Sequence, residues 1–592
     1  MSTNRILQRA AGRRRFVMFV FACLGLAVLG RAAWLQIWQH GFLLGQAQAR
    51  QHRVIEIPAH RGTIFDRNGE PLAVSTPIDT VWAVPGDVLK TYDAMQAATD
   101  PEARQAYQAR WDALAEALSM SPSVLHERVS QYQQQGRAFQ YLRRHVTPAV
   151  AEQVAAQHIP GVSLMREYAR YYPSSEASAH IVGFTNIDDK GTEGLELAYD
   201  RNWLAGQAGK RRIVRDLAAR EIESLEIVQQ AKPGKDLYLS VDRRLQYQAF
   251  RALDKAVKEE QASSGSLVLL DVQSGEVLAI VNSPSYNPNN TAERRSGVSR
   301  NRAVTDQFEP GSTMKPFTIA AALESGRFTP SDIIYTSPGY YKVGRYEIRD
   351  TRDYGWLDLR GIIKKSSNVG VIKVAQKLEP EQMWSVLDRF GFGRPPGSEF
   401  PGEVPGKLNH PTLWHSTEQT TLAYGYGLAT SALQLTHAVA AIANGGVMQP
   451  VSFLKRDEPV QGERVLDESV ARQVASMMES VVSKSGTGYR ARVPGYRVAG
   501  KTGTSYKSHS GGYNEERYIS LFAGFAPASA PRLAMVVVIH DPSAGQHYGG
   551  QVAAPVFSEV MGNALRVLGV KPDDWDSLAA RVRDEVTLED AL

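Results

Sequence analysis

Pro310-Gly-Ser-Thr-Met-Lys315 is the stretch of this 592-residue chain that says most about both fold and chemistry. A proline and a glycine directly before an apolar run are typical of the start of a helix, so Ser312 is predicted at a helix N-terminus. The unpaired N–H groups at that end favour developing negative charge. Lys315 follows three residues later on the same helical face, so its amine is expected within reach of the Ser312 hydroxyl.

Two further short motifs follow in chain order, Ser366-Ser-Asn368 and Lys501-Thr-Gly-Thr504. A serine hydroxyl is a weak nucleophile at neutral pH and needs an adjacent base. Lys315 can be that base only when its amine is neutral, which requires burial and a second cation nearby. Lys501 is the candidate for that cation. The three motifs together therefore predict an enzyme that forms an acyl-serine intermediate.

Similar patterns occur elsewhere in the chain, so the order and the context of the motifs distinguish the functional set from chance copies. Ser452-Phe-Leu-Lys455 repeats the first spacing, and Lys484-Ser-Gly-Thr487 imitates the third motif. Neither has the other motifs in order, and residues 484–487 are predicted to end a helix, with Gly486 as its cap. Each motif alone is also typical of a capping serine, a solvated lysine or a turn glycine. Only the ordered set that begins at Ser312 points to chemistry.

The region after residue 235 alternates between strand and helix patterns. Strands are predicted over 265–271, 276–281, 496–499, 518–524 and 533–540, and helices over 243–261, 313–325, 361–378, 468–484 and from about 554. The helices come from both ends and from the middle of this region, and the last strands follow one another directly. This order predicts an α+β domain, an antiparallel sheet flanked by helices.

The N-terminal segment predicts a membrane anchor. Residues 1–15 carry five arginines and no acidic residue, and residues 16–38 contain one charged residue, Arg31. A helix over 16–38 would be about 34 Å long, enough to span a bilayer. The arginines orient residues 1–15 to the cytoplasm and the chain after Trp38 to the other side. A signal peptide cleaved near Gly30-Arg31-Ala32 is the alternative.

Charge and cysteine content exclude several other classes of protein. The formal net charge of +5 resides in residues 1–15, so the rest of the chain is balanced and shows no sign of a nucleic-acid-binding face. The single cysteine, Cys23, excludes an internal disulfide and a cysteine-based zinc cluster.

A turn at residues 232–236 is the predicted boundary between a domain over 39–232 and one over 233–570. Residues 571–592 are predicted as an acidic C-terminal tail.

Longer stretches around the motifs resemble the class B penicillin-binding proteins, and among them the division-specific branch. The resemblance rests on Arg61-Gly-Thr-Ile-Phe-Asp-Arg-Asn-Gly69, Gly191-Thr-Glu-Gly-Leu-Glu196, Thr305-Asp-Gln-Phe-Glu-Pro-Gly-Ser-Thr-Met-Lys-Pro316, Lys365-Ser-Ser-Asn-Val-Gly-Val371, Tyr424-Gly-Tyr-Gly427, Gly500-Lys-Thr-Gly-Thr504 and Asp541-Pro-Ser-Ala-Gly-Gln-His-Tyr-Gly-Gly550. Ser367 departs from the Ser-Asp-Asn form of the middle motif. The resemblance implies a mixed α/β, dimerisation-like pedestal over 39–232 and a β-lactamase-like transpeptidase domain over 233–570.

The resemblance also implies catalytic roles. Ser312 would attack the peptide bond of a D-Ala-D-Ala stem peptide of peptidoglycan, and Lys315 would take the serine proton. Ser366 would relay a proton to the leaving amine. The backbone N–H groups of Ser312 and Thr504 would form the oxyanion hole. An amine from a neighbouring stem peptide would then resolve the acyl-enzyme.

Substrate-binding roles follow from the same resemblance. Asn368 would hold the backbone amide of the donor peptide. Lys501 and the hydroxyls of Thr502 and Thr504 would bind its terminal carboxylate. Gly503 would let the donor lie along the strand as an added strand. No metal or organic cofactor is implied.

The implied setting is a bacterial inner membrane, with a single membrane span and the catalytic domain in the periplasm. Partners implied are peptidoglycan stem peptides, β-lactams as covalent inhibitors, the polymerase FtsW and other division proteins. Two alternatives stay open on the residues alone. One is a D,D-carboxypeptidase or β-lactamase-like hydrolase. The other is a membrane-anchored division scaffold or β-lactam sensor with vestigial catalysis.

Overall fold

The computed structural model describes residues 3–42, 52–137, 139–215, 221–344, 346–415, 417–509, 512–577 and 579. The chain forms two compact units. The first comprises Met1–His60, Pro77–Tyr168 and Gly206–Pro233, and the second comprises Arg61–Thr76, Ala169–Ala205 and Gly234–Leu592. Apart from residues 571–577 and 579, the predicted acidic tail lies outside the described residues.

The N-terminal helix spans Thr3–Ala33 and continues as a π-helical turn over Trp34–Trp38. Within the described residues it is the one helix long and apolar enough to cross a membrane, with Arg13–Trp38 as the candidate span and a mean hydropathy of 2.2. Its apolar side chains, such as Phe19 and Leu26, are exposed to about two thirds. This composition fits the predicted anchor.

Prolines define where the helices of the first unit begin. Three of them start at Pro101, Pro122 and Pro148, and the side chain of the preceding Asp, Ser or Thr accepts a hydrogen bond from a backbone N–H of the first turn. Proline suits the first helical position because its missing N–H would have no helical partner there. Besides the N-terminal helix, the described part of this unit contains the helices Pro85–Gln96, Pro101–Ala117, Pro122–Gln134 and Pro148–Ala156. Trp111, which is fully buried, lies in their shared core.

Strands of the N-terminal 240 residues form two larger sheets. His52–Ile57, Gly209–Arg215 and Glu221–Gln229 make an antiparallel three-stranded sheet. The other sheet contains Leu237–Tyr238, Ile64–Phe65, Pro71–Ala83, Gln140–Val146 and Val162–Tyr171. Mixed helices and sheets in this part of the chain agree with the predicted mixed α/β character.

A five-stranded antiparallel sheet organises the second unit. Its strands are β1 (Ser264–Asp271), β2 (Val277–Ser283), β3 (Ala499–His509), β4 (Gly512–Ala526) and β5 (Leu533–His540). Their spatial order is β2-β1-β5-β4-β3, so β3, which carries the Lys-Thr-Gly motif, is an edge strand. Sequence order predicted such a sheet, and the α+β class is confirmed.

Both faces of the sheet are covered by helices. Along β5, Val536 and Val538 pack into one core while Val537 and Ile539 pack into the other. A strand buried on both faces is apolar throughout rather than alternating, as β5 is. The helices that contact its strands include α1 (Arg243–Glu259), α6 (Ala432–Ala443), α7 (Glu468–Glu479) and α8 (Gly549–Val567). Four others, α2 (Lys315–Glu324), α3 (Leu359–Lys365), α4 (Asn368–Ala375) and α5 (Pro380–Arg389), pack against other helices of the unit.

Several predicted boundaries were wrong. The helix expected over 361–378 is two helices, α3 and α4, because Ser366 adopts a left-handed conformation between them. The helix expected from 313 begins as a 3-10 turn over Gly311–Met314 before α2 starts at Lys315. The strand expected over 496–499 starts only at Ala499, and α8 begins at Gly549 rather than near 554.

Candidate active site

Ser312 is presented by a tight turn that leads into α2. Gly311 has φ +55°, and its N–H donates to the carbonyl of Gly425 at 3.1 Å. A Cβ on Gly425 would lie 2.0 Å from the Gly311 oxygen, so only glycine allows this close approach. Thr313 is buried beneath the turn, whereas Ser312 is partly exposed. The turn therefore holds the serine hydroxyl at an accessible surface.

Lys315 lies fully buried one turn after Ser312. Its Nζ donates to Ser366 O at 2.5 Å, to Ser366 Oγ at 3.1 Å and to Asn368 Oδ1 at 2.7 Å. Among the described residues, Ser312 Oγ makes no hydrogen bond to this amine, so the reach of Lys315 to the Ser312 hydroxyl stays a prediction. Burial lowers the pKa of Lys315 to about 7, against the opposing effect of the Asp350 charge.

Lys501 reaches the same hydroxyl from β3. Its Nζ donates to Ser366 Oγ at 2.9 Å and to Thr502 O at 3.0 Å. Burial, together with the positive charge of Lys315, places the pKa of Lys501 well below its ordinary value. Lys501 was expected to lower the pKa of Lys315, but burial is the main cause there. Ser366 Oγ thus lies between two buried amines.

The Ser366 turn is built by a change of backbone conformation. Ser366 has φ +58° and ψ +39°, which ends α3, and the Ser367 hydroxyl accepts the N–H of Gly370 as the cap of α4. A serine in this region is uncommon and pays a conformational cost. The turn directs the carbonyl and the hydroxyl of one residue, Ser366, at the amine of Lys315.

Asp350 holds this turn and was missed by the sequence reasoning. Its carboxylate accepts hydrogen bonds from Ser367 Oγ at 2.6 Å, from the Asn368 N–H at 2.5 Å and from the Val369 N–H at 3.1 Å. Asn368 Nδ2 donates to the carbonyl of Arg349. Nothing in the local pattern marks Asp350, which lies in the polar run of residues 349–353. Ser367 stands where the usual form of the middle motif has an aspartate, and the carboxylate that binds this turn comes from Asp350, outside the motif.

Gly503 allows β3 to approach the Ser312 turn. A Cβ on Gly503 would lie 3.0 Å from Pro310 O and 3.0 Å from Thr313 Cγ2, tighter than ordinary contacts. Ser505 Oγ donates to Glu309 O at 2.8 Å just before the turn. These contacts bring the first and third motifs together at one strand edge.

Backbone groups on the outer edge of β3 point away from the rest of the sheet. The Tyr506 N–H donates to Tyr426 Oη at 3.2 Å and therefore points away from β4. Thr504, two residues earlier on a regular part of the strand, has the same orientation. The edge at Thr504 can therefore pair with an extended peptide.

The two threonine hydroxyls of the third motif are held by partners that the motif did not reveal. Thr502 Oγ1 lies 2.8 Å from Thr487 Oγ1, and the Gly549 N–H donates to Thr504 Oγ1 at 3.1 Å. Thr487 closes the stretch at 484–487 that imitates the motif. That stretch is therefore a neighbour of the site rather than a copy of it.

The predicted site residues come together in one part of the second unit. Hydrogen bonds connect Lys315, Ser366, Asn368, Lys501 and Thr502. Gly503 approaches the Ser312 turn, and Thr504 shares the free edge of β3. A partly exposed serine, two buried amines and an open strand edge are the components of an acyl-transfer site.

A family model described as the penicillin-binding protein transpeptidase domain matches residues 265–562, and one described as the penicillin-binding protein dimerisation domain matches residues 56–239. The chain belongs to the penicillin-binding proteins, in the class that joins these two domains. It is 42% identical over 573 residues, 96% of this chain and 95% of the relative, to the peptidoglycan D,D-transpeptidase FtsI of Escherichia coli K12. The resemblance drawn from the motifs is confirmed.

Other relatives and solved structures agree. The probable peptidoglycan D,D-transpeptidase PenA of Neisseria gonorrhoeae is 39% identical over 563 residues, covering 95% of this chain and 94% of the relative. Penicillin-binding protein 3 of Mycobacterium tuberculosis, solved in complex with aztreonam, has a TM-score of 0.66 at 26% identity, covering 88% of this chain and 98% of that one. The transpeptidase domain of Burkholderia pseudomallei penicillin-binding protein 3 has a TM-score of 0.53 at 42% identity, over 57% and 97%.

Proposed function

We propose that this chain is the peptidoglycan D,D-transpeptidase that cross-links stem peptides during cell division, and that β-lactams inhibit it. The observation that carries the proposal is the position of Ser366 Oγ, 3.1 Å from Lys315 Nζ and 2.9 Å from Lys501 Nζ, in the same site as Ser312. Buried amines of lowered pKa are what an acyl-serine mechanism needs at neutral pH. The identity to a relative named FtsI supports the assignment to division.

Acylation uses Ser312 as the nucleophile and Lys315 as the base. Ser312 Oγ forms a bond to the carbonyl carbon of the D-Ala-D-Ala peptide bond while neutral Lys315 takes its proton. The N–H groups of Ser312 and Thr504 stabilise the oxyanion. The C–N bond then breaks, and a proton reaches the leaving D-Ala amine through the hydroxyl of Ser366. The terminal D-Ala leaves, and an ester joins the donor peptide to Ser312.

The donor peptide binds along the outer edge of β3. The Asn368 side-chain amide carries two hydrogens, of which one goes to Arg349 O and the other can reach the donor backbone. Lys501 and the hydroxyls of Thr502 and Thr504 bind the terminal carboxylate. Gly503 lets β3 lie close to the Ser312 turn, so that a donor on this edge lies beside the nucleophile.

Deacylation completes the transfer. The amine of a neighbouring stem peptide attacks the ester carbonyl and gives a proton to neutral Lys315. A new amide forms as the C–O bond of the ester breaks, and Lys315 passes that proton to Ser312 Oγ. A β-lactam acylates the same serine because its ring amide mimics the donor peptide bond. No step calls for a metal or organic cofactor.

The cellular setting is part of the proposal. The apolar helix Arg13–Trp38 suits a single-pass anchor in the bacterial inner membrane, with residues 1–15 in the cytoplasm and the catalytic domain in the periplasm. Residues 39–232 would serve as the pedestal of the transpeptidase domain over 233–570. FtsW and other division proteins would contact the anchor and the pedestal. Residues 571–592 would form a solvated tail.

Mass spectrometry of the full chain after benzylpenicillin tests the proposal. We expect one stable adduct that maps to Ser312 and is absent from Ser312→Ala. Rapid loss of the adduct with release of hydrolysed penicillin would instead indicate a β-lactamase-like hydrolase. A Ser312→Ala variant that localises normally and rescues cells depleted of the protein would indicate a scaffold or sensor with vestigial catalysis.

A further inference from the structure

An exposed aromatic surface lies beside the Ser366 turn and has no role in the mechanism above. We name it the aromatic platform and define it as Ile333, Tyr335 and Trp356, which are 61%, 47% and 67% exposed. They lie on the outer face of a two-stranded antiparallel sheet, Ile333–Tyr335 with Trp356–Asp358. The inner-face residues Ile334 and Leu357 pack onto the main core. Large exposed apolar side chains grouped in this way are typical of a binding surface.

The platform is held in a defined geometry. Tyr335 and Trp356 are partners in the strand register, and their ring centroids lie 4.7 Å apart with an interplanar angle of 44°. Lys373 donates to Tyr335 O at 2.7 Å and lies 5.8 Å from the ring centroid of Tyr335. Thr336 Oγ1 donates to Gly355 O at 2.8 Å and closes the end of the strand pair. The two rings are therefore pre-ordered before any ligand arrives.

The platform lies within one stem-peptide length of the proposed acylation site. α4 carries both Asn368 and Lys373, whose separation of five residues is a rise of about 7.5 Å along the helix. Lys373 then reaches the Tyr335 carbonyl directly. An extended peptide of five residues spans at most about 17 Å. A donor whose end lies at Asn368 would therefore place the polymer that carries it near the platform.

We infer that the aromatic platform binds the glycan strand of peptidoglycan, with pyranose rings stacked on Trp356 and Tyr335. This inference rests on the proposed function, because that function puts a stem peptide at Asn368 and therefore its sugar chain nearby. Aromatic side chains present flat apolar faces to the C–H side of a sugar ring, and the half-buried Lys373 amine lies beside them. The ring faces of these sugars carry no charge, and the three side chains of the platform carry none either.

Binding to peptide-free glycan strands tests the inference. The full chain in lipid nanodiscs would be titrated into end-labelled strands of alternating N-acetylglucosamine and N-acetylmuramic acid, followed by fluorescence anisotropy. Trp356→Ala and Tyr335→Ala should each weaken binding about tenfold, as expected for loss of one aromatic stack. Trp356→Phe keeps a ring and should retain most of the affinity. Tyr247→Ala is the matched control, since Tyr247 is 54% exposed on α1 and should leave binding unchanged.

A second readout separates this inference from the proposed function. Benzylpenicillin carries no glycan, so Trp356→Ala should be acylated at the wild-type rate. Its KM for stem peptides attached to glycan strands should rise about tenfold, while its KM for free stem peptides stays unchanged. Unchanged glycan affinity in Trp356→Ala and Tyr335→Ala would overturn the inference and point to a protein partner. Failure of the wild-type chain to react with benzylpenicillin would overturn the proposed function instead.

Discussion

The rate at which a penicillin acylates Ser312 is expected to rise with pH across neutrality and then level off. Lys315 accepts the serine proton only when neutral, and burial lowers its pKa to about 7. With that pKa the neutral share of the amine is about 9% at pH 6, about half at pH 7 and about 91% at pH 8. The rate at pH 8 should therefore be about tenfold the rate at pH 6, with little further gain at higher pH.

Rapid mixing with a fluorescent penicillin at closely spaced pH values measures this profile. A lysine with its ordinary pKa near 10.5 would instead give about a hundredfold rise between pH 6 and pH 8, continuing beyond pH 9. Lys315→Arg keeps a positive charge that cannot be removed near neutrality, so it should abolish labelling. A rate that is flat from pH 6 to pH 8, or that climbs steadily into the alkaline range, would refute Lys315 as the base.

The carboxylate of Asp350 provides an independent perturbation of the same profile. Its negative charge raises the pKa of Lys315, so Asp350→Asn should move the rise in rate to lower pH. The amide oxygen can still accept from the N–H groups of Asn368 and Val369, which preserves the turn. Asp353→Asn, three residues away, is the control and should leave the profile in place. A shift to higher pH in Asp350→Asn would contradict this electrostatic account.

Three substitutions test the architecture around Ser312. Lys315→Met should raise the free energy of unfolding at pH 7, measured by chemical denaturation, by up to about 4 kcal/mol. A lysine whose pKa is lowered to about 7 destabilises the fold at any pH below the ordinary pKa of lysine. No gain would mean that the hydrogen bonds of Lys315 offset the cost of its burial. Ser366→Ala should slow penicillin acylation at least about tenfold with little change in melting temperature, since it removes the hydroxyl between the two amines. Gly425→Ala should lower the melting temperature and the labelling yield because the added methyl would meet Gly311 O, whereas Gly326→Ala, also at positive φ but with open space around it, should cost less.

Local sequence patterns predicted which motifs come together better than where the helices and strands begin and end. Ser312, Lys315 and Lys501 were singled out because their residue types and spacing fit a serine mechanism, and the structure brings their motifs together in the second unit. The single helix expected over 361–378 was wrong at Ser366, where the apolar pattern continues but the backbone turns left-handed. Hydrophobic periodicity indicates which face of a helix is buried. It does not reveal a single residue of left-handed conformation, such as Ser366, whose turn is held by contacts with distant residues.

Residues that support the site from outside the motifs could not be predicted. Asp350 bonds to residues 17–19 positions away, and Thr487 meets Thr502 across 15 positions. Such contacts depend on how the turn and the strand pack, not on any repeating pattern along the chain. The sheet order was also beyond local reasoning, because the edge position of β3 follows from non-consecutive neighbours.

Burying two lysines in one site costs stability. The site therefore depends on a large core on both faces of the sheet, built from distant parts of the chain. Lys315 and Lys501 both donate to Ser366 Oγ, and two charged ammonium groups so close in a dry site would repel strongly. Burial lowers both pKa values, and at Lys501 the positive charge of Lys315 adds to this effect. Keeping the two amines buried therefore costs stability, which the packing on both faces of β5 has to outweigh. The buried amines that favour reaction thus lower the stability of the fold. A substitution that removes either amine should make the protein more stable and less reactive. A destabilising substitution in either core should lower both the stability and the reactivity.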